Sequence, residues 1–471
     1  WRPATRTPAA PVHPNRHRIV PELAATLRLA GPLIAGQLFA IGMNVVDAML
    51  AGHLGAHVLG AVAVGTSVWT FPLMAIMGVM MALPPSVAQL DGAGRRERIV
   101  PLFRQALWLA LALGVVLQLA VFWLGPLLVA AMGIAPRLVP DVAAFLRAIS
   151  FGAPALALTM ACRGFSEGLS MTRPTMLAGL AGLLLLGPLG YALMYGAFGL
   201  HGLGALGSGL ATAIVCWVQA LGFVAYVWRS RRYRHLPWHD GALWPDLAAI
   251  GGLLRIGLPM AVTVLMEASL FGASGLVIGR LGTDAVASHQ VALNLATVAF
   301  MMPLGLAMAT TIRVGNAVGR ADAVGVRRAG LIGVSLTLAT QCVSGSAMLL
   351  LPGMLASLYT NDPAVLAGAV ALLQLAGIFQ FSDGIQVVSN GALRGLKDTR
   401  VPMFITGFAY WGIGMPVGWW LAFPRGLGAR GVWMGLIAGL TMAAALLFWR
   451  FVRASRGQER ALRFAPEGNC P

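Results

Sequence analysis

The sequence predicts an all-α integral membrane protein of twelve transmembrane helices, arranged as two six-helix lobes. Three observations lead there. The 471 residues are 58% hydrophobic and only 10% charged, where a soluble domain is about a quarter charged, and mean hydropathy is +0.79. Apolar runs of the roughly 20 residues that a helix needs to cross a hydrocarbon core recur along the whole chain. The two halves of the chain also repeat each other in one register. None of the runs alternates polar and apolar residues, as a membrane-barrel strand does, so each is read as a helix.

The first run begins near Leu29 and contains Pro32; the second begins near Val58 and is followed by Arg95, Arg96 and Arg98. The third begins near Leu102, and the fourth near Val139, with Arg163 and Arg173 read as following it. The fifth begins near Thr175, and the sixth near Leu203, with Arg229, Arg231, Arg232 and Arg234 behind it. In the second half the runs begin near Leu247, Ala285, Val326, Ala364, Val401 and Gly431. Arg320, Arg327 and Arg328 follow the eighth, and Arg394, Lys397 and Arg400 are read as following the tenth. Basic residues therefore mark alternate loops, and the remaining loops hold little more than Arg137, Arg280, Arg425 and Arg430. By the positive-inside rule the rich loops and both termini are expected in the cytoplasm of a bacterial inner (plasma) membrane protein. That placement also explains the net charge of +17 without nucleic acid.

The internal repeat has a constant offset of 227 residues. It pairs Arg28 with Arg255, Pro32 with Pro259, Gly52 with Gly279, Leu54 with Leu281 and Gly55 with Gly282. Farther on it pairs Gly92 with Gly319, Gly164 with Gly391, Thr172-Arg173 with Thr399-Arg400, and Gly204 with Gly431. Six helices per half is an even number, so both halves enter the membrane in the same orientation. A pseudo-two-fold along the membrane normal is expected, with a central cleft of the kind transporters use. The division is a disordered tail (1–21), an N-lobe (22–227), a basic linker (228–246), a C-lobe (247–452) and a C-terminal tail (453–471). The chain is read as a monomer.

Several motifs carry less. "GLGALG" at Gly202 to Gly207 fits a dinucleotide fingerprint but opens an apolar helix rather than following a strand, so it is read as small-residue helix packing. Cys162, Cys216, Cys342 and Cys470 are scattered, without a disulfide or metal spacing. Met74, Met77 and Met81 form a helical stripe, as Met301 and Met308 do in the other half; such stripes either pack or give an adaptable ligand surface. His53 and His57 are interfacial groups or proton relays. Pro32, Pro72, Pro154, Pro259 and Pro303 start or bend helices. No constellation typical of an enzyme site appears, and no cofactor is expected.

Three acids stand in otherwise uncharged membrane segments. Asp47 is the only Asp, Glu, Lys or Arg between Arg28 and Asp91, Glu267 the only one between Arg255 and Arg280, and Asp383 the only one between Asp362 and Arg394. An ionisable group at the middle of a membrane helix costs at least about 2.5–3.5 kcal/mol and marks a functional site by default. Each is either a protonated carboxyl satisfied by a neighbouring helix or a coupling site where a proton and a cation compete. Na+ is an alternative to the proton at Glu267 and Asp383 where neutral oxygens complete its shell.

From Glu22 to Phe451 the chain resembles the multidrug and toxic compound extrusion (MATE) transporters, NorM-like branch. The resemblance rests on "GMNVVDAMLAGHLG", "MALPPSVAQLDGAGRRE", "RGFSEGLSMTRP", "LMEASLFG", "ASHQVALN", "TIRVGNAVGRAD" and "FQFSDGIQVVSNGALRGLKDTR". It implies export of cationic or amphipathic organic compounds against inward H+ or Na+. It places the family's acids at Asp47, Glu267 and Asp383 and its polar positions in helix 8 at Gln290 and Asn294. Gln37 and Asn44 on the first helix are read as further supporting polar groups. Leu186 and Gly190 stand where NorM-like relatives often have asparagines, and Phe379 where they have a tyrosine, so oxygen ligands are missing and H+ is favoured. Small organic cations and membrane lipid are the expected partners. A lipid-linked saccharide flippase of related architecture is the alternative; it would line its cleft with arginines.

Overall fold

The computed structural model describes residues 19–196, 201–238 and 244–463. Most of the predicted N-terminal tail, the end of the C-terminal tail with Cys470, and residues 239–243 of the linker lie outside the described residues. Six crossings come from the first half. They are α1 (Ile19–Leu54); α2 (Ala56–Met80), continued by α3 (Leu83–Gly92); α4 (Ile99–Ala131); α5 (Val139–Ser150) with α6 (Ala153–Gly168); α7 (Arg173–Tyr195); and α8 (Gly204–Arg229). The second half supplies α9 (Leu247–Gly279); α10 (Thr283–Gly319); α11 (Ala323–Leu350), followed by the short α12 (Pro352–Ser357); α13 (Pro363–Gly395); α14 (Arg400–Gly407) with α15 (Met415–Ala422); and α16 (Gly428–Arg463). No strand occurs among the described residues.

Ten crossings are long, apolar helices, and α5 with α6 forms an eleventh, bent by 42°. Pro154, in the first turn of α6, lacks the amide hydrogen that would carry α5 across the break. The twelfth is α14 and α15 fused through a π-helical stretch, Phe408–Gly414. Aspartates sit outside the apolar spans and cap them: Asp246, Asp322 and Asp362 accept first-turn amides of α9, α11 and α13.

The backbone repeats with the sequence. Gly55 and Gly282 cap α2 and α10 at φ 118° and 109°, Gly94 and Ala321 turn at 69° and 55°, and Ser170 and Lys397 at 61° and 59°; each pair is 227 apart. The contact between the lobes is reciprocal as well. A Cβ on Gly78 of α2 would stand 2.3 Å from Ala261 of α9, and a Cβ on Gly305 of α10 would stand 2.4 Å from Ile34 of α1. Gly78 and Gly305 are repeat mates, as are Ile34 and Ala261. Deeper, Gly92 meets the backbone of Asn316 and Gly319 that of Gln89, again in exchanged pairs. This is the signature of a two-fold between two six-helix lobes. Each lobe has its own core, one around Trp69, Phe103, Phe145 and Phe165, the other around Phe379, Tyr410 and Trp433. A third cluster, including Leu29, Leu33, Ala88, Leu306 and Val387, forms the seam.

Every one of these seam contacts lies in the half of the bundle toward the arginine-rich loops, hereafter the basic face. The ion pair from Arg313 of α10 to Glu22 of α1, at 2.8 and 2.5 Å, clasps the same end. In the opposite half Asn44, Gln290 and Asn294 are exposed.

Several sequence expectations need correction. Arg163 and Arg394 are not loop residues: they sit inside α6 and α13, with Arg394 only 9% exposed. Helix α1 already begins at Ile19, and α16 continues through Arg463 into the stretch assigned to the C-terminal tail. The described part of the linker packs on the N-lobe. Tyr233 is fully buried and bonded to Ser166 at 2.9 Å, and Gln105 of α4 takes the Asp246 amide at 2.7 Å. The Gly202–Gly207 stretch does pack tightly, since a Cβ on Gly207 would stand 2.6 Å from the Leu193 carbonyl oxygen.

Candidate functional site

Glu267 and Asp383 each lie past the middle of a 33-residue helix, α9 and α13, and because α9 starts at the basic face and α13 ends there, the two acids flank the midplane from opposite sides. Their side chains line one cavity of about 250 Å³ that extends from the middle of the bundle into the half away from the basic face, walled by Met74, Phe271, Thr297, Phe300, Phe379 and Trp433. Phe379 meets the rings of Phe271 and Trp433 edge-on at 6.1 and 5.7 Å, and the Trp433 indole donates to His289 Nδ1 at 3.1 Å. The wall is thus a fixed aromatic surface with acids set into it. Asp383 is 3% exposed, and its Oδ1 has no protein hydrogen-bond partner among the described residues. The Tyr410 hydroxyl, held by the π-helical stretch, is buried and likewise unpartnered. It lies within electrostatic reach of both acids. A buried carboxyl oxygen without a donor is costly as an anion unless a proton or a cation accompanies it.

The third acid stands apart. Asp47, half-buried on α1, accepts a 2.6 Å hydrogen bond from Ser208 of α8. The structure therefore brings together two of the three sequence-singled acids and leaves the third in the N-lobe. Leu186, in place of an expected oxygen ligand, is buried among Ala211 and Val215, and Gly190 faces Leu50. Gln290 and Asn294 share a helix face with Thr297 and contact each other at 3.3 Å. Among the described residues no three His, Cys, Asp or Glu side chains are grouped for a metal ion.

Toward the basic face a second chamber opens between the lobes. It is lined by Met77, Met80, Met81, Met160 and Met308, with Gln37, Arg163, Glu167, Thr311 and Arg394 as its polar groups. Arg163 binds Glu167 at 2.7 Å and Gln37 at 3.1 Å. Gln37 thus serves this inner chamber rather than Asp47. Between chamber and cavity lies a small pocket bounded by Met260, Thr263, Glu267, Asn390, Arg394 and Thr399.

A family model described as MatE matches residues 32–192 and 259–420. The chain belongs to the MatE family. The two matched segments begin 227 residues apart, the register in which this MatE chain repeats itself. It is 50% identical over 439 residues to a "probable multidrug resistance protein NorM" of Xanthomonas campestris pv. campestris, covering 93% of this chain and 96% of that protein. It is 43% identical over 443 residues to multidrug resistance protein PmpM of Pseudomonas aeruginosa, with 93% of each covered. Among solved structures it resembles an outward-facing multidrug resistance MATE transporter (TM-score 0.85, 21% identity, 93% of this chain and 97% of that one). It also resembles the eukaryotic MATE transporter AtDTX14 (TM-score 0.81, 19% identity, 94% and 99%). This MatE protein is a multi-pass membrane protein with the fold of those transporters.

Reading the sequence singled out the acids but missed Arg394, Glu167, Asn390, Tyr410 and Ser208. The repeat held a signal for two of them. Glu167 and Arg394 are 227 apart and belong to the paired segments at Gly164 and Gly391, so opposite charges occupy equivalent intramembrane positions.

Proposed function

We propose that the protein is a secondary active multidrug exporter that expels cationic or amphipathic organic compounds in exchange for H+ by alternating access. The observation that carries this reading is the convergence of Glu267 and Asp383 on one aromatic-walled cavity, with Asp383 Oδ1 lacking a protein donor. Two carboxyls sharing a cavity retain a proton between them, and an organic cation displaces it. The aromatic wall supplies faces for a flat cation. With the basic face as the cytoplasmic side, the clasped seam shuts the inner route while the acid cavity extends from mid-membrane into the outer half. The multidrug names of the NorM and PmpM relatives support the drug-efflux reading. Phe379 at the position of an oxygen ligand supports H+ over Na+.

The decisive experiment is dye export from proteoliposomes, with H+ and Na+ gradients imposed separately. Glu267→Gln and Asp383→Asn are each expected to insert normally and lose gradient-driven export, with the double variant little worse than either single, as for groups acting as a unit. Export driven equally by Na+ at clamped pH would refute proton coupling. A saccharide flippase would instead ignore cationic dyes; its arginines would be Arg163 and Arg394 of the inner chamber.

A further inference from the structure

Asp383, Asn390 and Arg394 fall on one face of α13, at intervals of seven and four residues. Arg394 reaches two spaces, the small pocket it shares with Glu267 and the methionine chamber toward the basic face. Its only protein hydrogen bond among the described residues goes to Met81 Sδ at 3.8 Å, and no carboxylate there lies within ion-pair distance. A guanidinium nine-tenths buried and held by a thioether is unfavourable by itself. The repeat shows what is different about it. In the N-lobe the equivalent positions are Arg163 and Glu167, which pair with each other; in the C-lobe they are Asn390 and Arg394, so the cation has no carboxylate one turn away on its own helix. The carboxylate that borders the small pocket with it is Glu267.

We propose that Arg394 is the internal counter-ion of Glu267. When Glu267 gives up its proton to water on the basic-face side, the guanidinium closes across the small pocket and pairs with the new carboxylate. The ion pair makes deprotonation favourable inside the membrane and joins the outer cavity electrically to the inner chamber. The other charged or titratable groups around the pair are Asp383 on α13, Tyr410 on the π-helical stretch, and Arg163 and Glu167 across the seam on α6. Arg394 is a positioning residue here, since it acts through Glu267. The inference rests on the coupling role proposed for Glu267.

The test measures proton release on adding ethidium to the detergent-purified protein in weak buffer, stepped from acid to alkaline pH. The same variants are assayed for ethidium export in proteoliposomes. Arg394→Gln is expected to move the release profile and the export optimum about one pH unit upward, because an opposite charge within a few ångströms favours the ionised carboxyl by one unit or more. Arg394→Lys should restore both profiles. If Arg394→Gln fails to insert, Arg394→Met, which matches the methionine lining, replaces it. An unshifted profile, or activity lost equally at every pH, overturns the counter-ion role. Glu267→Gln separates the two readings. If it releases protons and exports normally, the coupling assignment itself falls; if it is silent while the Arg394→Gln profile is unshifted, only the present inference falls.

Discussion

At the scale of the residue, ion choice turns on single oxygen atoms. Phe379 contributes a ring edge to the cavity wall where a tyrosine would contribute a hydroxyl, and a bare Na+ needs several oxygens to replace its water. Phe379→Tyr is therefore expected to make ethidium binding sensitive to Na+, weakening it several-fold in 100 mM NaCl relative to choline chloride, while the parent protein responds little. Equal responses in isothermal titration would show that the position does not set ion selectivity. Asp47 shows the same logic in the other lobe. With Leu186 buried and Gly190 lacking a side chain, Ser208 is its hydrogen-bond partner, and one hydroxyl does not make a Na+ site. The lone charges at 47, 267 and 383 were legible in the sequence because each interrupts a long apolar run. Arg394 was not, because basic residues three and six positions beyond it made it look like the first member of a loop cluster.

Among the elements, the seam helices decide which face is closed. The tight approach of α2 to α9 requires glycine at 78, since a Cβ there would overlap Ala261 backbone that no rotamer change can move aside. Gly78→Ala should cost about 1–3 kcal/mol by overpacking and pry the seam apart. Gly31→Ala on α1, where a Cβ would meet nothing within 4 Å, should be neutral or stabilising by up to about 1 kcal/mol. Thermal unfolding in detergent checks both; equal melting temperatures would mean that the helices part freely at this point. Helix existence was readable from apolar run length. The bend at α5–α6 and the π-helical stretch of α14–α15 were not, because both depend on how a crossing accommodates its neighbours rather than on its own composition.

For the whole molecule the two lobes form a lever, and the Arg313–Glu22 pair is a latch at the basic face. Both side chains are about one-fifth exposed, at 20% and 18%, and the contact is two-pronged, which favours a well-defined geometry. Glu22→Gln should release the latch and populate the state open toward the basic face. A cysteine at Met308, which lines the inner chamber, is expected to react about fivefold faster with a water-soluble maleimide, corresponding to about 1 kcal/mol for a partly shielded pair. The exchange Glu22→Arg with Arg313→Glu should return the rate toward that of the parent. No change in either variant would show that glycine packing alone holds the seam.

The sequence by itself determined the membrane class, the count of twelve crossings, the two-fold repeat and the three intramembrane acids. Those properties are written in local quantities: hydropathy over a span, a register between halves, a charge where none is tolerated cheaply. The tertiary structure decided which acids share a cavity, since Glu267 and Asp383 are far apart in sequence and meet only because α9 and α13 line the same space. It also moved Arg163 and Arg394 from presumed loops into the bundle and closed the seam at one face. Such facts depend on helix ends, rotation and close approach, and a run of apolar residues constrains none of these: a lipid-facing leucine and a seam leucine carry the same hydropathy.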